Sequence, residues 1–225
     1  MIKFEKISKR YKEGTLALDN ISFFINKGEF VFLIGPSGAG KTTVFRLLLA
    51  EVKPTKGKIF INGEDISHLS KKNISLLRRQ IGAAFQDFKL LFDRTVFENV
   101  SLTLEILGKK KEEIKQRVEE VLFLVGLKDK GNVFPVQLSG GEFQRAVIAR
   151  AIASQPKILF ADEPTGNLDP KTSLQIVDLL KQINKGGTTV IMATHNIEIV
   201  DLLKQRVIHL DKGKIIKDQQ KGKYK

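Results

Sequence analysis

The chain has 225 residues, 42% apolar and 28% charged, which suits one domain with a substantial core and excludes a disordered or fibrous chain. No apolar run is long enough to span a bilayer, the opening Met1-Ile2-Lys3-Phe4-Glu5 predicts no signal peptide, and the absence of cysteine excludes disulfide frameworks and thiolate zinc sites. With 38 Lys+Arg against 25 Asp+Glu the formal net charge is +13, which favours nucleic acid, an anionic membrane surface or a phosphorylated ligand, or else reflects lysines that only solvate the surface.

Residues 1–32 read as short strands joined by turns, with Phe4, Ile7 and the run Ile21-Ser22-Phe23-Phe24-Ile25 as apolar anchors. Tyr11 follows Lys9-Arg10, which suits either a ring stacked on a nucleotide base or a half-buried core tyrosine. Next, Phe30-Val31-Phe32-Leu33-Ile34 has the length and composition of a buried strand, and Val44-Phe45-Arg46-Leu47-Leu48-Leu49 forms helix well. Between them lies Gly35-Pro36-Ser37-Gly38-Ala39-Gly40-Lys41-Thr42, followed by Thr43. It fits G-x-x-x-x-G-K-[ST] in the strand–turn–helix context that the pattern requires. Its glycines let backbone N–H groups turn inward on a phosphate, and the helix start adds unpaired N–H groups and the positive end of a dipole. Lys41 is expected to reach the terminal phosphates and the Thr42 hydroxyl to ligate Mg²⁺. A glycine-rich turn with an accidental lysine would leave the flanking strand and helix unexplained.

Pro54-Thr55-Lys56-Gly57 and Asn62-Gly63 punctuate a short hairpin around Ile59-Phe60-Ile61. Ile81-Gly82-Ala83-Ala84-Phe85 is a further buried strand, ending on Gln86. From residue 87 to about 153 the pattern turns helical: Ile114, Val118, Val121, Leu122 and Val125 recur at helical spacing, and Gly126 stands as a C-cap. Near the start of this inserted block, Phe88-Lys89-Leu90-Leu91-Phe92 is either subdomain core or a docking surface for a partner. Further on, Ser139 and Glu142 form an S-x-x-E capping box, and Val147, Ile148, Ala151 and Ile152 supply an apolar stripe. Gly140-Gly141 is a costly pair in a first helical turn, unless a ligand such as phosphate approaches the backbone closely there.

The sheet resumes at Lys157-Ile158-Leu159-Phe160-Ala161, then Asp162-Glu163-Pro164; a helix follows with Asp169 at its N-cap and Pro170 in its first position. Thr188–Ala193 is one more buried strand, delivering Thr194-His195. From Asp211 on, six lysines predict a last strand or turn and then a mobile basic tail. Strands alternating with helices imply a mostly parallel sheet, whose ligands bind at the carboxyl ends of strands, where Gly35, Gln86, Asp162 and His195 all fall. Asp162 fits the carboxylate that holds Mg²⁺ in a P-loop enzyme. On an extended chain Glu163 points away from Asp162, which makes it the candidate to polarise an attacking water. His195 and Gln86 are candidates to contact the γ-phosphate and the metal or water.

These runs, in this order, resemble the ATP-binding cassette (ABC) ATPases over nearly the whole chain. The resemblance implies an α/β P-loop NTPase with a mostly parallel core sheet, an N-terminal antiparallel β subdomain and an inserted α-helical subdomain. Residues 1–86 and 154–210 would form the catalytic core with its β subdomain, 87–153 the helical part, and 211–225 the basic tail. It also implies ATP and Mg²⁺ as cofactors and a head-to-tail homodimer that forms on ATP. Nucleotide contacts would come from Tyr11 (stacked on adenine), Gly35, Ser37, Gly38, Ala39, Gly40, Lys41, Thr42, Thr43 and Gln86. The partner chain would add Ser139, Gly140, Gly141 and Glu142, with Asp169 bridging the two sites. Thr42, Gln86 and Asp162 would hold the metal, and Glu163 and His195 would be catalytic.

Phe85–Leu91, Asp93–Val96, Glu98–Val100 and Phe134–Ser139 resemble the cell-division branch of that family, whose members act with an integral membrane partner at the inner membrane. That partner would dock near Phe88, Leu90, Leu91 and Phe92. Lipoprotein-releasing and macrolide-exporting cassettes share Ala161–Asp169, so an exporter subunit is the alternative. Phe143 and Asn196 depart from the commoner glutamine and aspartate. A soluble nucleic-acid-binding ATPase would suit the charge, but no RNA-binding module or coiled-coil insertion accompanies it. Lys109-Lys110-Lys111 and the lysine tail instead suit an anionic inner leaflet.

Overall fold

Along Ile2–Arg10 (β1) and Leu16–Ile25 (β2), buried residues recur between exposed ones, the pattern of strands that cover a core with one face. In the computed structural model, which describes residues 1–85 and 90–222, the two strands pair antiparallel with Ile2 opposite Ile25 and Phe4 opposite Phe23. Lys56–Ile61 (β4) joins the other edge of β1 and turns through Asn62-Gly63, both at positive φ, into Glu64–Asp65 (β5). The expected short hairpin is therefore present, closed by a two-residue turn. Together these strands make one antiparallel sheet in the order β2-β1-β4-β5.

Three strands are buried at every position: Phe30–Ile34 (β3), Ile158–Asp162 (β7) and Thr189–Thr194 (β8). With Ile81–Ala84 (β6), Arg206–Asp211 (β9) and Lys214–Gln219 (β10) they form the second sheet, in the order β10-β9-β3-β8-β7-β6. All its neighbours pair parallel except β9 and β10. Unbroken apolar strands follow from cover on both faces. Phe30, Phe32, Ile34, Leu159 and Val190 face one core, and Val31, Leu33, Phe160 and Ile191 face the other.

The second of these cores holds the β layer and Lys41–Leu48 (α1). The first holds Val96–Ile106 (α3), Lys111–Leu124 (α4), Gly140–Ile152 (α5), Pro170–Lys185 (α6) and Ile197–Leu203 (α7). In α4 the expected stripe of Ile114, Val118, Val121 and Leu122 is buried. The helix stops at Gly126, with φ of 71°, where the Leu127 N–H donates back to the Leu122 carbonyl at 2.7 Å. Lys71–Arg78 (α2) is a helix on which the sequence reading is silent: Leu77 is its one buried residue, so its apolar stripe is too thin to read. Among the described residues no helix is long and apolar enough to cross a membrane.

The last strand expected after Asp211 is Lys214–Gln219, and Gly222 beyond it lies against Val207. Lysines suit this place because β10 is an edge strand, and charged side chains there discourage pairing with other chains. Its anchor is Arg206 on β9, which donates to both carboxylate oxygens of Asp218 at 2.8 Å and to Glu29, ahead of β3, at 3.0 and 3.2 Å. The two carboxylates raise the Arg206 pKa, Asp218 most strongly. Arg206→Met leaves both acids facing an apolar side chain. We expect it to lower unfolding free energy by about 2–4 kcal/mol in chemical denaturation, less than a fully buried pair would lose because Asp218 is partly exposed.

Candidate active site

Parallel register carries several strand ends to one edge of the second sheet. Ile34 of β3 pairs with Thr194 of β8, and Asp162 of β7 pairs with Ala193, so the loops after all three strands open together. Helix α1 is seated by Phe45, which stacks on Phe160 of β7 with ring centres 3.8 Å apart. Phe45 lies four residues after Lys41, and Phe160 lies two before Asp162. One aromatic contact therefore sets the helix start against the acidic strand end.

The edge encloses a cavity of about 570 Å³ lined by residues 36–43, Asp162, Glu163, His195 and the entry to β2, namely Thr15, Leu16 and Ala17. Every expected cradle residue lines it except Gly35. Gly35 instead permits a close approach of backbone behind the loop, because at its φ of 145° a Cβ would stand 2.1 Å from the Leu210 carbonyl oxygen. Gly40 caps α1 in the left-handed region (φ of 109°), without a side-chain cap. The first turn of the helix is thus capped by no side chain beside the cavity. The buried Lys41 ammonium donates to the carbonyls of Gly35 at 2.6 Å and Pro36 at 3.2 Å.

Contrary to the extended chain that the sequence predicts, Glu163 has φ of 48°, which turns the chain as it leaves β7, and both Asp162 and Glu163 line the cavity. The Glu163 N–H donates to the Ala193 carbonyl at 2.9 Å. Its carboxylate lies 2.9 Å from His195 Nδ1 and accepts the His195 backbone N–H at 3.3 Å. Glu163 is held from two sides, while the imidazole itself is two-thirds exposed. Asp162, nine-tenths buried, and the exposed Thr42 hydroxyl present hard oxygen donors to one cavity. With phosphate oxygens these would suit Mg²⁺.

Tyr11 does not line the cavity but stands beside it: its hydroxyl lies 3.4 Å from the Thr43 hydroxyl, and the Lys9 ammonium sits 5.1 Å from its ring centre. Gln86 and Phe88 lie outside the described residues. Thr15, Leu16 and Ala17 were not foreseen, because only tertiary packing brings β2 to the phosphate loop and no motif marks them.

Ser139, Gly140, Gly141, Glu142 and Asp169 lie outside this cavity in the same chain. Ser139 and Gly140 are exposed. The capping box forms as expected: the Glu142 N–H donates to Ser139 Oγ at 3.4 Å, and Glu142 accepts the Ser139 N–H at 2.9 Å. Those Ser139 donors, the backbone N–H first, hold the Glu142 carboxyl below its ordinary pKa. Asp169 caps α6 by accepting the Thr172 N–H at 3.0 Å, and the bonds from Thr172 lower its pKa too. The glycine pair divides its work. A Cβ on Gly141 would meet the Thr172 methyl of α6 at 2.5 Å, so close helix packing within the chain already requires that glycine. Gly140 meets only a Leu168 methyl, at 3.4 Å, and stays open to an outside ligand.

The apolar segment also divides. Leu90 is buried in the core, which removes it from the expected docking surface, whereas Leu91 and Phe92 are exposed. Buried Asn99 ties their loop to α3: its carbonyl accepts the Leu91 N–H, and its amide donates to the carbonyls of Leu91, Arg94 and Thr95. Phe92 rests on Phe143, with ring centres 6.0 Å apart. A second cavity, about 370 Å³, runs between α2 and α3; Ile74, Ile81, Ala83 and Ile106 line it together with Lys71, Arg78, Arg79 and Arg150.

The family model described as "ABC transporter" matches residues 18–166. The chain is 52% identical over 224 residues to the cell division ATP-binding protein FtsE of Bacillus subtilis (strain 168), covering 100% of this chain and 98% of that protein. It is 47% identical over 213 residues to the FtsE of Escherichia coli (strain K12), covering 95% and 96%. Among solved structures it is similar to a dimeric post-hydrolysis state of the ATP-binding cassette MJ0796 bound to ADP and Pi, with a TM-score of 0.90, 37% identity and 100% coverage of both chains.

The Gly141 contact yields a test that needs no nucleotide. Gly141→Ala should lower stability by about 1–3 kcal/mol, the cost of overpacking, less up to about 1 kcal/mol regained in helix propensity. Thr172→Ser, which removes the obstructing methyl, should recover most of the loss in a thermal or denaturant double-mutant cycle.

Proposed function

Since the chain belongs to the ABC transporter family of ATPases, we propose that it is the motor subunit of a bacterial cell-division complex. Its ATP-driven dimerisation would work on an FtsX-like integral membrane protein that controls cell-wall hydrolases. The observation that carries the chemical part is the joining of the phosphate loop, Asp162, Glu163 and His195 in one cavity. The similarity to FtsE over essentially full length supports the cellular part.

In this reading residues 36–43 bind the triphosphate, the ammonium of Lys41 moves from the Gly35 and Pro36 carbonyls to the terminal phosphates, and Tyr11 supports the base. Thr42 and Asp162, with Gln86, would hold Mg²⁺, which would supply positive charge against that of the phosphates. Glu163 orients the attacking water and takes its proton. His195, whose ring and backbone both reach the Glu163 carboxylate, keeps that carboxylate in place and meets the γ-phosphate. Ser139 and Gly140 do not line the cavity, and their exposure supports service to a second copy facing head to tail. Asp169, exposed beyond its capping bond, bridges the two copies there. The dimeric state of the similar cassette bound to ADP and Pi supports the pairing of two copies.

Glu163→Gln should retain ATP binding while turnover falls by about 10²–10⁴-fold, the scale of a lost general base. It should also trap an ATP-dependent dimer, visible by size-exclusion chromatography; normal turnover would remove Glu163 from its role.

We place the membrane partner at Leu91 and Phe92 and along the α2–α3 groove; Phe88, the other expected contact, lies outside the described residues. Apolar residues there, with the exposed cations Lys71, Arg78 and Arg79, suit an amphipathic segment bearing acidic residues. The chain would then lie peripherally on the cytoplasmic face of the inner membrane. Leu91→Ser combined with Phe92→Ser should leave folding and nucleotide binding intact while recovery of the membrane partner on purification from membranes falls at least about tenfold, a loss of roughly 1.4 kcal/mol or more. Loss of folding instead would return both residues to the core.

A further inference from the structure

The phosphate loop is braced from behind by the turn between β9 and β10. The Gly213 N–H donates to the Ala39 carbonyl at 3.1 Å, and the Gly213 carbonyl accepts the Asp19 N–H at 2.9 Å. The fit is tight: Gly213 has φ of 77°, and a Cβ on it would stand 2.8 Å from the Ala17 carbonyl oxygen. That same oxygen would lie 2.8 Å from a Cβ on Gly40, whose nearest neighbours include the Gly213 Cα. At the end of β9, the Leu210 carbonyl excludes a side chain from Gly35. Three glycines thus let β2, the loop and the C-terminal hairpin meet backbone to backbone.

From this contact we infer that Gly213 is a positioning residue for nucleotide binding, and that the C-terminal hairpin sets the shape of the phosphate loop. A trans peptide directs its C=O and N–H to opposite sides. Fixing the Ala39 carbonyl toward Gly213 therefore fixes the next N–H, that of Gly40, away from the hairpin. The hairpin is held at its other end by Arg206 between Asp218 and Glu29, so the brace is rooted in the sheet rather than in a loose turn. None of its described residues lines the cavity. This inference rests on the nucleotide reading of the loop.

The wild-type chain provides the first test, by amide hydrogen exchange with and without ADP. Coupling is reciprocal, so ADP should slow exchange at Gly213 by about 5-fold or more, alongside residues 35–43. Protection at 35–43 with unchanged exchange in 207–219 overturns the brace and spares the nucleotide reading. No protection in either segment, with wild type behaving like Lys41→Ala, overturns both. Next, Gly213→Ala should weaken ADP binding by about 3- to 10-fold, the scale of one lost hydrogen bond, with kcat changed by less than about twofold. Unchanged affinity in a folded variant refutes the proposal. Should that variant not fold, Arg206→Lys loosens the hairpin from its far end. It should speed exchange at Gly213 and weaken ADP together, and faster exchange with unaltered ADP affinity refutes it equally.

Discussion

Parallel pairing of β8 with β3 on one side and β7 on the other is the constraint on which the site depends. Each strand is buried on both faces, so a shift of one residue would exchange the two cores and expel every side chain from its place. Register is therefore fixed by packing on two sides. Because it is fixed, Gly35, the Asp162-Glu163 pair and His195 leave the sheet at one level. The stack of Phe45 on Phe160 transfers the same register to α1, and with it to Lys41 and Thr42.

On this frame the reactive groups are held by short-range backbone geometry. Glu163 reaches the cavity only through a left-handed turn that a non-glycine residue enters at a cost, and the surrounding bonds maintain it. The Ala193 carbonyl holds its N–H, and His195 holds its carboxylate. Strain in one residue and a paired histidine thus keep a carboxylate beside the phosphate loop. Lys41, by contrast, is satisfied by carbonyls of its own loop, and those bonds offset the burial of its ammonium.

The site is divided between what one chain completes and what it presents outward. The cradle and acidic pair share a cavity, while the Ser139 turn lies outside it, capped, exposed and fixed on α6 through Gly141 and Thr172. Glycine serves two purposes there within two residues. Gly141 permits close packing of helices inside the chain, and Gly140 leaves its backbone exposed. The C-terminal hairpin relies on glycine in the same way: Gly213 meets the phosphate loop through a backbone hydrogen bond.

Much of this was legible from residue order. The phosphate loop, the strands ending at Asp162 and His195, the Asn62-Gly63 hairpin, the Gly126 stop and the caps at Ser139 and Asp169 depend on periodicity and local hydrogen bonding, which sequence carries directly. Other features depend on contacts between distant segments. Glu163 turns because β8 holds its N–H; Leu90 is buried because helices close over it; Gly141 is required because Thr172 stands opposite. Residues 214–219 read only as a last strand or turn, because an edge strand has one partner and little apolar surface, and pairing with β9 settles the choice. Sequence determined which chemistry the chain carries and at which strand ends. Tertiary structure decided which backbone carbonyls and methyls surround those ends, since such contacts join residues whose separation along the chain leaves no local pattern.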